Sequence, residues 1–158
     1  MLSGCATTEK QSVMPIEQGN FQAAQQALQL QGAPYVYGGA SPKDGFDCSG
    51  LVVYVYGRQG VKLPRTALSL AEQLPDIHPD LRQPGDLLFF NTQRPYSHVG
   101  IYVGNDEFVH APSARTGRVM VSSLRQRYWR ERFMAVRRPM PMQTLSFSAI
   151  TGAECRLN

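Results

Sequence analysis

The sequence predicts an α+β fold, with helices first and a run of antiparallel strands after them. Helix signals dominate the first half, short strands separated by turns dominate the second, and glycine and proline mark the joints. A length of 158 residues suits one domain, and 42% hydrophobic against 18% charged residues excludes disorder over most of it. No stretch approaches the roughly 18 consecutive apolar residues of a membrane-spanning helix. The net charge of +4 points only weakly to anionic surroundings. No internal repeat is present.

In chain order, Asn20 followed by Phe21, Ala24 and Leu28 reads as a capped helix ending at Gly32. Pro34-Tyr35-Val36-Tyr37-Gly38-Gly39 is an aromatic stretch closed by paired glycines, and Ala40 to Gly45 is a loop of turn formers. Leu51 to Tyr56 is a conflict. Its β-branched and aromatic residues favour a strand, whereas Asp47 before it and Gly57 and Gly60 after it are helix-end signals. Pro64 opens a further helical stretch, with Ser69 and Glu72 at capping-box spacing. Pro84-Gly85-Asp86 is a turn leading into Leu87-Leu88-Phe89-Phe90, a short, wholly apolar strand. Val99 to Val103 and Phe108 to Ala111 form a strand pair around Gly104-Asn105-Asp106, and Val119 to Val121 and Met134 to Val136 complete the sheet. The pattern stops after Pro139-Met140-Pro141.

Three cysteines, at 5, 48 and 155, are too few for a disulfide framework, so each needs its own explanation. Cys48 lies in Phe46-Asp47-Cys48-Ser49-Gly50. If Asp47 caps a helix, Cys48 occupies its first turn, where free N–H groups and the helix dipole favour a thiolate. Taken alone, the residue fits a buried inert thiol as well. The histidines tip the balance. A nucleophilic thiol needs a base, and the base needs a third group that fixes its orientation. His98 and His110 lie on the two paired strands and suit those roles, whereas His78, in a loop, reads as a surface residue. A two-residue turn at Asn105-Asp106 would place His98 and His110 on opposite faces of the ribbon. A three-residue loop from Gly104 to Asp106 sets His110 across from Gly100 and diagonal to His98 on one face, with room for the imidazole over Gly100. The three-residue loop is the expectation.

At this point the motifs converge on one family. Phe46-Asp47-Cys48-Ser49-Gly50, Leu63-Pro64-Arg65, Pro84-Gly85-Asp86-Leu87, Ser97-His98-Val99-Gly100-Ile101-Tyr102 and Phe108-Val109-His110-Ala111 resemble, in order, the NlpC family of papain-like bacterial cell-wall peptidases. The resemblance runs from Asn20 to Arg138. It implies a papain-like fold with the catalytic cysteine at a helix N-terminus packed on an antiparallel sheet. It further implies Cys48 as nucleophile, His98 as general base, His110 as third residue, and Tyr35 with its hydroxyl near the oxyanion site. Acyl transfer would follow, with thiolate attack on a peptide carbonyl of the peptidoglycan stem. Asp47, Ser49 and Arg65 flank this chemistry as candidate substrate-binding residues; their plainer roles are helix caps and a surface charge. No cofactor and no metal are expected, and a monomer is expected.

Rival readings remain distinguishable. Cys48, His98 and His110 could be zinc ligands, but a structural site wants four. A related amidase or acyltransferase could use the same Cys–His pair, and a non-catalytic envelope-binding module is the other class. Arg125, Arg127, Arg130 and Arg132 around Tyr128 and Trp129 have the basic and aromatic interleaving of a nucleic-acid surface. The preferred reading is a solvated face anchored by Trp129, with no nucleic-acid partner.

Leu2-Ser3-Gly4-Cys5 resembles the lipobox of bacterial lipoproteins, although no apolar stretch precedes it. Lipidation of Cys5 would attach the protein to a membrane, and by resemblance to the outer membrane of a Gram-negative envelope. Residues 1–19 then form a polar tether, 20–138 the peptidase domain and 139–158 a tail. An inert Cys155 is preferred over a Cys48–Cys155 disulfide, because the tail lacks periodicity.

Overall fold

Residues 16–140 are described by the computed structural model. Helix α1 spans Ile16–Gln29 and so begins a turn before Asn20. Asn20 is therefore no cap; it is buried, and its backbone lies against the turn at Gly85. The buried stripe of α1 is Asn20, Ala23, Ala24 and Ala27, while Phe21 and Leu28 face outward. Small residues let the helix lie close to its neighbours.

A minimal hairpin, β1 (Ala40–Ser41) with β2 (Gly45–Phe46), delivers the chain to α2 (Cys48–Arg58). The conflict over residues 51–56 resolves as helix. Asp47 caps it by accepting from the Gly50 N–H at 2.7 Å, and Leu51, Val52, Val55 and Tyr56 form one buried stripe. The cap and the stripe outweigh the β-propensity of the individual residues. Helix α3 (Ala67–Gln73) is capped by Thr66, which accepts from the Ser69 N–H at 3.1 Å. The Ser69–Glu72 capping box is thus corrected: both residues lie inside the helix.

A six-stranded antiparallel sheet follows, built from β3 (Asp76–Ile77), β4 (Leu87–Phe90), β5 (His98–Gly104), β6 (Glu107–His110), β7 (Met120–Ser123) and β8 (Phe133–Arg137). The spatial order is β3-β8-β4-β5-β6-β7. Both faces are covered. Leu87, Phe89, Val99, Ile101 and Val109 pack with α1, α2 and α3. Leu88, Phe90, Tyr102, Phe108 and Val136 pack with Trp129, on the short helix α4 (Arg127–Arg132), and with Phe133. Burial on both sides explains why β4 is apolar at every position. At its entry, Asp86 is fully buried and forks onto Arg138 at 2.7 and 2.9 Å, tying the start of β4 to the end of β8.

The β5–β6 hairpin departs from the expected three-residue loop. Its turn is the two-residue Asn105-Asp106, both with positive φ, at +52° and +61°. This is the hairpin turn favoured by right-handed strand twist. Yet Tyr102 pairs with Phe108 while Gly104 pairs with Glu107, so Val103 is an extra residue in β5. The bulge restores the register that a longer loop would have set, and Ile101 faces Val109. The expected register holds, for a different reason. Cys5, the 1–15 part of the tether, the tail beyond Met140 and Cys155 lie outside the described residues.

Candidate active site

Side chains alternate along a strand, so His98, Gly100 and Tyr102 share the sheet face that α4 covers, together with Phe108 and His110. His98 Nε2 lies 2.8 Å from His110 Nδ1, and both rings are buried. Gly100 is required between them. A Cβ there would come within 2.7 Å of the Phe108 ring and 3.3 Å of His110 Cβ.

Cys48, at the N-terminus of α2, meets the start of β5 beside Val99. Tyr102 exchanges its N–H and C=O with the chain leading into β4. By alternation, the Val99 N–H points to the β6 side, where the strand ends at His110. That N–H, left over from the ladder, donates to the Cys48 sulfur, as does the Ser49 N–H. His98 Nδ1 has no hydrogen-bond partner among the described residues, which leaves it for a proton donor.

The charge states differ from the expectation of a thiolate. Burial pushes the Cys48 thiol up, and the Asp47 carboxylate adds to this; the Val99 and Ser49 N–H groups and Arg65 oppose it without prevailing. Burial likewise holds His98 down at about 4. His110 is lowered by burial and by the charge of His98. At neutral pH the three groups are a thiol and two neutral imidazoles. The helix dipole acts on Cys48, but desolvation wins.

Asp47, Ser49 and Arg65 form one cluster. Arg65 forks onto both Asp47 oxygens, at 2.9 and 2.8 Å, and donates to Ser49 Oγ at 2.8 Å. Asp47 also accepts from the Gly38 N–H at 2.9 Å, so one carboxylate joins the Gly38-Gly39 loop, the α2 cap and Arg65. Arg65 keeps 42% of its side chain exposed, enough to meet a ligand. Asp47→Ala is expected to lower stability by about 1–2 kcal/mol, as loss of an N-cap does. In thermal denaturation Asp47→Asn should recover most of that loss, because an amide oxygen still caps. The Tyr35 hydroxyl is pushed up by burial, then by Cys48 and Asp47, which places it within electrostatic reach of both. His78 is exposed and caps a short 3-10 turn at Pro79–Leu81.

Trp129 has a role beyond anchoring a surface. Its ring stacks on His98 at 5.4 Å and 29°, and meets His110 edge-on at 4.7 Å. Around it, Arg127 pairs with Glu131, Arg125 with Asp106, and Arg132 lies over Tyr128. The arginines are a solvated face, and the tryptophan roofs the histidine pair. Sequence reasoning also passed over Ser122, whose Oγ lies 2.8 Å from His110 Nε2.

Residues 32–138 match the model of the NlpC/P60 family. The chain belongs to the NlpC/P60 family. Among its curated relatives is the murein DD-endopeptidase MepH of Escherichia coli, 42% identical over 130 residues, covering 78% of this chain and 47% of that protein. A Haemophilus influenzae protein named as a probable endopeptidase is 42% identical over 118 residues, covering 73% of this chain and 71% of its own. The γ-DL-glutamyl hydrolase of Bacillus subtilis is 40% identical over 72% of this chain and 28% of that protein. The chain thus spans about half or less of the length of several NlpC/P60 relatives it matches. Among solved structures, a lipoprotein-like NLP/P60 protein of Staphylococcus aureus superposes with a TM-score of 0.70 at 34% identity, over 84% of this chain and 45% of that one. The peptidoglycan hydrolase RipB of Mycobacterium tuberculosis gives 0.68 at 27% identity, over 87% and 74%. The α+β architecture is that of NlpC/P60 domains.

Proposed function

We propose that this protein is a cysteine peptidase that hydrolyses peptide bonds in peptidoglycan stem peptides or cross-links, with Cys48 as nucleophile, His98 as base and His110 as orienting residue. The observation that carries the reading is the direct His98–His110 contact, which leaves Nδ1 of His98 for the thiol proton. Attack would form an S–C bond as His98 takes the Cys48 proton. Collapse would break the C–N bond while His98 returns that proton to the leaving amine. Water, deprotonated by His98, would then cleave the thioester and restore the thiol. The Cys48 N–H, without an intrahelical partner in the first turn of α2, and the Tyr35 hydroxyl suit the oxyanion. Asp47, Ser49 and Arg65 suit the charged ends of a stem peptide.

The relatives' names divide between D,D and γ-D,L bonds. Digestion of purified, defined muropeptides with product identification by mass spectrometry tests the reading and tells which bond is cut. Transfer products, or cleavage of an amide outside the peptide, would replace it with an acyltransferase or amidase. His98→Ala should be nearly as inactive as loss of the nucleophile, while His110→Asn should retain partial activity, because an amide can still accept the imidazole N–H.

The histidine pair also sets an acid limit on stability. The folded-state pKa of His98, about 4, lies below its ordinary 6.5. The unfolded chain therefore binds more protons between those values, and stability falls as pH drops from about 6.5 through 4. His110 is shifted the same way. The melting temperature should decline over that range, and His110→Asn should flatten the decline; an unchanged slope would mean that the rings are not held neutral.

The peptidase unit is read as residues 20–138, acting as a monomer in the cell envelope. Leu2-Ser3-Gly4-Cys5 supports attachment through lipid on Cys5, on the periplasmic side of the outer membrane. Expression behind a complete signal peptide, with a clickable palmitate analogue, should label the protein and not Cys5→Ala.

A further inference from the structure

His98, His110 and Ser122 lie on three adjacent strands, β5, β6 and β7. Register makes each the diagonal neighbour of the next on one sheet face: His110 stands opposite Met120, and Ser122 opposite Phe108. The contacts are 2.8 Å from His98 Nε2 to His110 Nδ1 and 2.8 Å from His110 Nε2 to Ser122 Oγ. All three side chains are buried, beneath Trp129 and Phe108.

We propose that Ser122 is a positioning residue, which sets the proton arrangement of both histidines by accepting the His110 Nε2–H. With that proton placed, His110 Nδ1 carries a lone pair and accepts from the His98 Nε2–H. His98 Nδ1 then carries the lone pair that a thiol proton needs. If Ser122 could not accept, His110 could hold its proton on Nδ1 and donate to His98 Nε2. The His98 proton would then sit on Nδ1, the nitrogen proposed to take the thiol proton, and the base would be blocked. The third residue here is neutral, so no carboxylate enforces the correct tautomer. The closed apolar surroundings leave little for water to do in its place.

The inference rests on the proposed Cys48–His98 chemistry for its consequence, though the proton positions can be read without any reaction. Long-range 1H–15N NMR of the full chain with labelled histidine should show His98 and His110 each as the Nε2–H tautomer. In Ser122→Ala, which fits sterically, His110 should divide between tautomers. On muropeptides kcat should fall about 5- to 10-fold, the value of one ordinary hydrogen bond, with KM unchanged. Ser122→Thr, which keeps the hydroxyl, should restore both readouts. A single Nε2–H tautomer on both rings in a folded Ser122→Ala protein would overturn the proposal, as would an Nδ1–H His110 in the parent protein. Expected tautomers without any hydrolysis by the parent would instead remove the peptidase reading and leave the role of Ser122 in place.

Discussion

Cys48→Ala is expected to reduce hydrolysis of muropeptides to background while leaving the melting temperature within about 1–2 °C of the parent. Among the described residues the sulfur takes the Val99 and Ser49 N–H contacts and packs at the edge of the core, and alanine keeps the Cβ of that packing. The chemistry has no substitute, since the surrounding groups can orient a nucleophile but cannot become one. Cys48→Ser should be nearly as inactive, because a neutral imidazole deprotonates a hydroxyl far less readily than a thiol. Retention of activity in Cys48→Ala would end the covalent mechanism outright. Intact-mass detection of a thioester during turnover gives the complementary positive result.

Gly50→Ala should be the most damaging small substitution for the fold and the site together. A Cβ at Gly50 would stand 1.9 Å from the Gly39 carbonyl oxygen and 2.8 Å from Asp47 Oδ1. Relief requires backbone movement, either of the first turn of α2 or of the Gly38-Gly39 loop. Both carry the site, because Asp47 joins them through Gly38 N–H and Gly50 N–H. Overpacking of this kind should cost about 3 kcal/mol, with activity lost even where the protein stays folded. Gly57→Ala is the matched control. It lies in the same helix with nothing within 4 Å of its added Cβ, and should raise stability by about 0.5–1 kcal/mol. Chemical denaturation of the two variants reads the contrast directly; equal effects would show that the close approach at Gly50 is not what holds α2.

Much of this site was legible in the sequence, for local reasons. Asp47 offered the cap that stood against the strand propensity of residues 51–56, and Leu87–Phe90 read as the short apolar strand that it is. The facing of His98 and His110 was expected from a three-residue loop, whereas a two-residue turn and the Val103 bulge produce the same register. The errors arose where an outcome depended on distant partners. Asn20 has a capping side chain, but α1 begins earlier and the residue is buried against Gly85. Ser69 and Glu72 have capping spacing, but Thr66 stands one turn ahead of Ser69. The resting thiol reflects enclosure by the sheet and the Asp47 charge, which outweigh the helix end. Ser122 could have been reached by carrying the alternation argument one strand further. The β6–β7 register, however, depends on a loop whose length does not dictate its pairing. Trp129 looked like an anchor, and only the crossing of α4 over β5 and β6 reveals what it anchors to.

The bulge at Val103 bears on how this hairpin can change length over time. Exposed hairpin tips usually tolerate inserted or deleted residues freely. Here five residues separate Tyr102 from Phe108, an odd number that a two-residue turn accommodates only with one residue left out of the ladder. Were Val103 paired with Phe108 instead, β6 would slide by one position and send His110 to the α2 side, with Val109 taking its place. A tip remote from the thiol is thus bound by an arithmetic of odd and even. Deletion of Val103 should keep Tyr102 opposite Phe108 and remove the bulge, whereas an odd spacing around a two-residue turn should always carry one.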